Sequence, residues 1–122
     1  MKKTLSILLG GLFVFSSCNE ELFIEPIRNI DATINPGEAY TYNLFIDGTE
    51  DSVEITLAPI NADTSEFFND STLPLMRSYK YVPDSTFIGE EIIEMSITRN
   101  SDYTTENFPK KEKLILNLNV GG

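Results

Sequence analysis

The sequence predicts an all-β fold, a two-sheet sandwich of about seven strands. Apolar residues recur at every second position over most of the chain beyond residue 28, which is the period of a strand with one buried face. Turn-forming residues interrupt that pattern roughly every 8 to 15 positions. Helical periodicity is almost absent. Strands with one apolar face each need a second layer to cover them, and two packed sheets are the simplest solution. A barrel built from the same strands is the alternative.

The strands follow in order. Ile30, Ala32 and Ile34 alternate with polar residues before a turn at Asn35-Pro36-Gly37. Tyr40, Tyr42, Leu44 and Ile46 form the next inward row, and Asp47-Gly48 signals a hairpin whose continuation through Thr49-Glu50-Asp51 asks for a longer loop. Val53, Ile55 and Leu57 line a third strand, which ends at Pro59. Residues 60–76 are the least regular. There Asp63, Thr64 and Ser65 offer caps for one helical turn carrying Phe67 and Phe68, and Leu73-Pro74-Leu75 reads as a short edge strand. Extension resumes over Arg77 to Val82, with Tyr79 and Tyr81 on one face. Glu91, Ile93, Met95 and Ile97 alternate with Ile92, Glu94, Ser96 and Thr98; a polar loop runs from Arg99 to Lys113; Leu114, Leu116, Leu118 and Val120 form the last strand.

The first 28 residues follow other rules. Lys2 and Lys3 precede an unbroken apolar and small-residue run from Leu5 to Phe15, closed by Ser16, Ser17 and Cys18. This is the layout of a signal peptide over residues 1–17, too short to span a bilayer as a mature helix, which needs about 20 apolar residues. Cys18 is the sole cysteine, so no internal disulfide can form. Its position after Ser16-Ser17 resembles the lipobox of bacterial lipoproteins, with Phe15 where leucine is usual. The resemblance implies lipidation of the Cys18 thiol, cleavage before it, and anchoring to the outer membrane by acyl chains worth about 0.8 kcal/mol per buried CH₂. Asn19-Glu20-Glu21 resembles the acidic signal that directs lipoproteins of the Bacteroidota to the cell surface; an ordinary acidic tether reads the same way. Residues 18–28, interrupted by Pro26, are read as that tether and residues 29–122 as one folded domain.

Removing residues 1–17 takes away Lys2 and Lys3 and leaves seven Lys and Arg against 19 acidic residues, a net charge of −12 over 105 residues. Such a chain is repelled by phosphate backbones and anionic lipid, so nucleic acid is not an expected partner. The absence of histidine, with the cysteine given to lipid, removes the commonest general base, metal ligand and thiol nucleophile, and no phosphate-binding glycine loop or Gly-x-Ser-x-Gly elbow is present. The expectation is a non-catalytic binding or structural module; a small hydrolase or its accessory subunit, using paired carboxylates, is the competing class.

Tyr81-Val82-Pro83-Asp84-Ser85-Thr86-Phe87-Ile88-Gly89-Glu90-Glu91 resembles a motif of bacterial cadherin-like and related immunoglobulin-like repeats, in which Tyr-x-Pro precedes Phe-x-Gly, an acidic residue and an alternating strand. The resemblance covers about residues 73–98 and implies an immunoglobulin-like sandwich in which Pro83 ends a strand, Phe87 plugs the end of the core and Gly89 permits the turn. Cadherin-like repeats often bind calcium, but Arg99 stands where the family frequently has an acidic residue. Asp47, Glu50 and Asp51 supply the oxygen chemistry calcium favours without matching any EF-hand spacing. Calcium is thus the one cofactor the sequence raises.

Two further sets of residues are candidates. Asp51-Ser52-Val53, Asp70-Ser71-Thr72 and Asp84-Ser85-Thr86 resemble the O-glycosylation acceptor of exported Bacteroidota proteins, marking Ser52, Ser71 and Ser85; Asp-Ser is equally a turn former. Phe67, Phe68, Leu73, Leu75 and Met76 are candidate contacts for an envelope protein or surface ligand, against the alternative that they fill the core. Without tryptophan, a sugar platform would rest on Tyr40, Tyr42, Tyr79, Tyr81 or Tyr103, of which only Tyr103 is expected to be exposed.

Overall fold

Among the described residues, alternation becomes seven strands: β1 (Ile27–Ile34), β2 (Tyr40–Asp47), β3 (Ser52–Leu57), β4 (Ala62–Asp70), β5 (Leu73–Pro83), β6 (Gly89–Thr98) and β7 (Lys111–Val120). The computed structural model describes residues 25–70 and 73–122. Cys18, the signal segment and Ser71 lie outside the described residues, as do the side chains of Leu73 and Leu75. One sheet has the order β1-β7-β6-β3 and the other β2-β5-β4. β1 runs parallel to β7, and every other pairing is antiparallel. This is an immunoglobulin-like sandwich, not a barrel.

The inward rows predicted from period-two alternation make the core. Leu44 and Ile46 from β2, Tyr79 and Tyr81 from β5, Ile93, Met95 and Ile97 from β6, and Leu114, Leu116, Leu118 and Val120 from β7 are all buried in one cluster. Each such side chain contributes about 1.5–3 kcal/mol by leaving water. Phe87 packs against this cluster, and Gly89, at φ +145°, holds its backbone where a Cβ would come within 3.3 Å of the Phe87 ring. Only glycine fits there comfortably.

Several expectations are corrected. Asp63, Thr64 and Ser65 do not cap a helical turn: residues 62–70 are a strand, because Phe67 pairs across from Tyr79, their rings 5.5 Å apart, and that long-range packing outweighs the local capping preference. Leu73 is not on a short edge strand but opens β5, the central strand of its sheet. Its proline falls where the β4 register shifts between Asn69 and Asp70, so no ladder donor is demanded of it. Leu57 is exposed, since a bulge between Ile55 and Leu57 turns it off the inward row. β1 takes up Ile27 and Arg28, which the sequence reading leaves in the tether; Lys113 N–H donates to Pro26 C=O and Arg28 pairs with Glu112. Arg99, read as the start of a polar loop, is buried, and β7 begins at Lys111.

Candidate functional site

The strand directions define two poles. β1 enters at Ile27, opposite Lys113 on β7, and ends at Ile34, opposite Val120, which in turn faces Gly89 on β6. The near pole, where the chain enters, carries the turn after β2, the loop 99–110 and the tether end. The far pole carries the turn after β1, the connection 58–61, the loop 84–88 and Gly121-Gly122.

The near pole is built around a buried ion pair. Arg99, 1% exposed, reaches Glu112, 2% exposed, at 2.6 Å. Its remaining donors go to the carbonyls of Leu44, Phe45 and Pro109 at 2.9–3.0 Å. Arg28 reaches the other Glu112 oxygen at 3.0 Å and donates to Asn107 C=O. Both guanidiniums lie over the Phe108 ring, which stacks on Phe45 with centroids 4.4 Å apart. Phe45 sits at φ +54°, where the β2–β5 register shifts, and its N–H donates to Asn43 Oδ1. Arg99 thus satisfies two carbonyls in the register-shifted stretch that has no paired partner on β5. Every group in this cluster is occupied by a neighbour, so its work is to hold the pole shut.

The acidic turn after β2 is also occupied. Asp47 Oδ1 accepts from the Thr49 amide and hydroxyl. Asp51 accepts from the amides of Asp47, Asn100 and Ser101 and from the Ser101 hydroxyl. Burial alone would raise the Asp51 carboxyl, but these hydrogen bonds outweigh it and hold the group below the ordinary aspartate value. Asp47 therefore shapes the turn, and Asp51 clips it to the loop that follows β6. Glu50 shares no ligand set with them, and among the described residues no cluster of three metal-binding side chains forms.

The remaining sequence candidates scatter. Phe67 packs against the core, Met76 is buried opposite Asp47, and Phe68 is half-buried. Ser52 and Ser85 are exposed, at the start of β3 and in the turn after β5. Asp84, beside Ser85, accepts from the Thr86 amide and hydroxyl, so it shapes that turn. Tyr79 and Tyr81 are fully buried, while Tyr40, Tyr42 and Tyr103 are half-buried. The expectation of an exposed Tyr103 is corrected: its N–H donates to Ser101 Oγ, within the loop clipped down by Asp51.

Four of these tyrosines give the fold an alkaline limit. Burial pushes up the hydroxyls of Tyr40, Tyr42, Tyr79 and Tyr81. For Tyr81 the hydrogen bond and charge of Glu91 push further in the same direction. A raised folded value means the contribution to stability is complete below about pH 10 and is lost as pH rises through the folded values. The fold is expected to unfold above about pH 10, with tyrosinate absorbance and loss of β-sheet circular dichroism rising together. Tyrosines that ionise at their ordinary value while the sheet signal persists would contradict this.

The far pole is different: apolar side chains stand exposed there among acidic and polar ones. Ile60, 86% exposed, and Ile88, 71% exposed, are its most prominent side chains, and Leu57 and Ile92 are exposed beside them. Beneath Ile60, buried Glu91 accepts the amides of Ile60 and Asn61 at 2.8 and 3.0 Å and the Tyr81 hydroxyl at 2.9 Å. Ile92 also borders a shallow groove of about 380 Å³ on the outer sheet face, with Asp31, Thr33, Glu90, Asn117 and Asn119 along it. Sequence reasoning missed these isoleucines. The signal was present, since Ile60 follows Pro59 and Ile88 precedes Gly89, apolar residues inside turns and off the alternating rows.

No family model matches the chain, and no curated protein matches it in sequence. Among solved structures it is similar to a 2,6-sialyltransferase from a Photobacterium species, at 15% identity and a TM-score of 0.44, over 79% of this chain and 18% of that one. It is also similar to an endo-fucoidan hydrolase of glycoside hydrolase family 107, at 15% identity and a TM-score of 0.46, over 79% and 13% of the two chains. A third is a cysteine protease inhibitor from Entamoeba histolytica, at 11% identity and a TM-score of 0.42, over 79% and 96%. The chain spans less than a fifth of the length of either enzyme. Likenesses this distant carry nothing about activity.

Proposed function

We propose that the chain is a lipid-anchored protein of the cell envelope that serves as a non-catalytic binding or structural module, with its far pole turned toward a partner. One observation carries this reading: chain entry and the two most exposed isoleucines, Ile60 and Ile88, lie at opposite ends of the sandwich. A tether fixed at Cys18 would set the near pole toward the membrane. It would raise Ile60 and Ile88 by the length of β1, eight residues or about 25 Å. The near pole suits that place, because its charged and aromatic groups are engaged with one another. The far pole suits a partner, because its apolar groups are not.

The test begins with Cys18→Ser. Wild-type protein is expected in the membrane fraction and the detergent phase, and the variant in the aqueous phase still carrying its leader. The intact mass of the native product reads both lipid on Cys18 and any sugar on Ser52, Ser71 or Ser85. A native product that keeps residues 1–17 and an unmodified thiol would overturn the anchoring. Protease treatment of intact cells then reads which face of the outer membrane holds the domain.

A further inference from the structure

We propose that the open edge of β6 over Gly89–Ile93, with Leu57, Ile60 and Ile92 beside it, binds a basic, extended segment of a partner protein as an added strand. This deepens the binding-module reading and takes from it only that the far pole is a contact surface.

The edge is open because β3 ends early. Its pairing with β6 runs from Ser52 opposite Thr98 to Leu57 opposite Glu94 and stops. The chain then leaves the sheet through Pro59 toward β4. What ties this connection to β6 is the Glu91 side chain, which holds the Ile60 and Asn61 amides. Among the described residues, no backbone hydrogen bond joins Gly89–Ile93 to residues 58–61, while the other edge of the same stretch is paired with β7 from Gly89 to Ile93. Alternate residues of this central-strand stretch therefore offer their backbone groups on the open side. Natural sheets usually blunt such an edge with charged side chains, proline or a bulge, and here only the charges of Glu90 and the inward-turned Glu91 do so, which leaves the edge selective for a cation. This stretch reads Gly-Glu-Glu-Ile-Ile, and the bulge on β3 lies before it.

Charge selects the occupant. Residues 50–76 hold six carboxylates and residues 81–98 hold four, with no Lys or Arg in either segment. Glu90 stands exposed on the edge itself. Glu94 has its cation, Lys113, at 3.7 Å, but Glu54, Asp63, Asp84 and Glu90 have no ion-pair partner within 4 Å among the described residues. A second copy of this chain would bring the same negative edge against it, and an anionic lipid surface is repelled likewise. A basic segment is attracted and steered to the site. Strand addition then takes affinity from main-chain hydrogen bonds and specificity from alternate side chains. On the outer face, an apolar residue would lie beside Ile92 and a cation beside Glu90. On the inner side the added strand would face Asn61 and the Glu91 carboxylate, which small polar residues suit.

The probe is a blocked nine-residue peptide repeating lysine, serine, isoleucine and serine, carrying a fluorophore and titrated with the full-length protein in detergent. Saturable binding is expected that weakens by about tenfold when salt is raised from low to high. Ile92→Lys and Ile60→Lys, which put a cation on exposed positions, are each expected to weaken it by about tenfold or more. Ile27→Lys, a change at the near pole whose exposure lies between those of Ile92 and Ile60, should leave it unchanged, and all three variants should keep the wild-type melting temperature. Binding should slow hydrogen exchange at Gly89–Ile93. The proposal fails if glutamate in place of lysine binds as well, if N-methylated peptide binds as well, if Ile92→Lys has no effect, or if a second copy occupies the edge. Peptide binding is independent of the Cys18→Ser fractionation, so failure here leaves the anchoring reading standing and the reverse also holds.

Discussion

Arg99→Met is expected to destabilise the fold by about 3–5 kcal/mol, the usual result of stripping one partner from a buried ion pair. A domain of this size has about 5–15 kcal/mol in total, so the variant should sit near the limit of folding. Methionine keeps much of the volume, which isolates the polar loss. Glu112 would remain buried with only Arg28, which is part-exposed, and the carbonyls of Leu44, Phe45 and Pro109 would lose their donor. The expected fall in melting temperature is about 4–8 °C per kcal/mol. Arg99→Lys should recover little, because one ammonium cannot reach four acceptors spread around a planar fork. The double change Arg99→Met with Glu112→Met removes the stranded carboxylate and should be more stable than Arg99→Met alone. The orphaned carbonyls keep it below wild type. If Arg99→Met melts within a few degrees of wild type, the cluster does not hold the register-shifted stretch and the account of the near pole is wrong.

Glu91→Ala has the second largest expected effect, about 2–4 kcal/mol, since hydrogen bonds to a charged group contribute more than neutral ones. Three donors meet on this carboxylate: the amides of Ile60 and Asn61 and the Tyr81 hydroxyl. The two amides lie close enough to solvent to find water, whereas the Tyr81 hydroxyl is in the core and cannot. Tyr81→Phe should therefore cost less, about 1 kcal/mol, because it removes the stranded donor along with the bond. Hydrogen exchange separates the two roles. Glu91→Ala should accelerate exchange at Ile60 and Asn61, while Tyr81→Phe should leave those amides protected. Unchanged protection in the alanine variant would mean that the connection 58–61 is held by something other than Glu91.

The two clusters behind these predictions show what is legible in a sequence. The inward rows Tyr79 and Tyr81, Ile93 to Ile97 and Leu114 to Val120 could be read directly, because successive side chains on a strand must point to opposite faces. Glu91 was visible as a polar residue in an apolar row, but not its partners, which come from the connection 58–61 and from Tyr81 on the other sheet. Arg99 was read as a loop residue because it follows the last alternating position. Only its distance in space to Glu112, and to carbonyls 54 and 55 residues away in sequence, makes it a core residue. The segment 60–76 failed for a related reason. Its Asp-Thr-Ser caps were a local signal for a helical turn, and the contact of Phe67 with Tyr79 was the non-local one that prevailed.

By itself the sequence determined the all-β class, most of the strands outside residues 60–76, the inward rows and the net negative charge. These follow from short-range rules, such as pleat periodicity, turn chemistry and charge count, that act over a few residues. The tertiary structure alone decided the sheet order, the buried Arg99–Glu112 pair, the opposition of the two poles and the unpaired edge of β6. Each depends on where β3 stops beside β6 or on which strand lies beside which. Strand pairing joins residues far apart in the chain, and no local pattern encodes it.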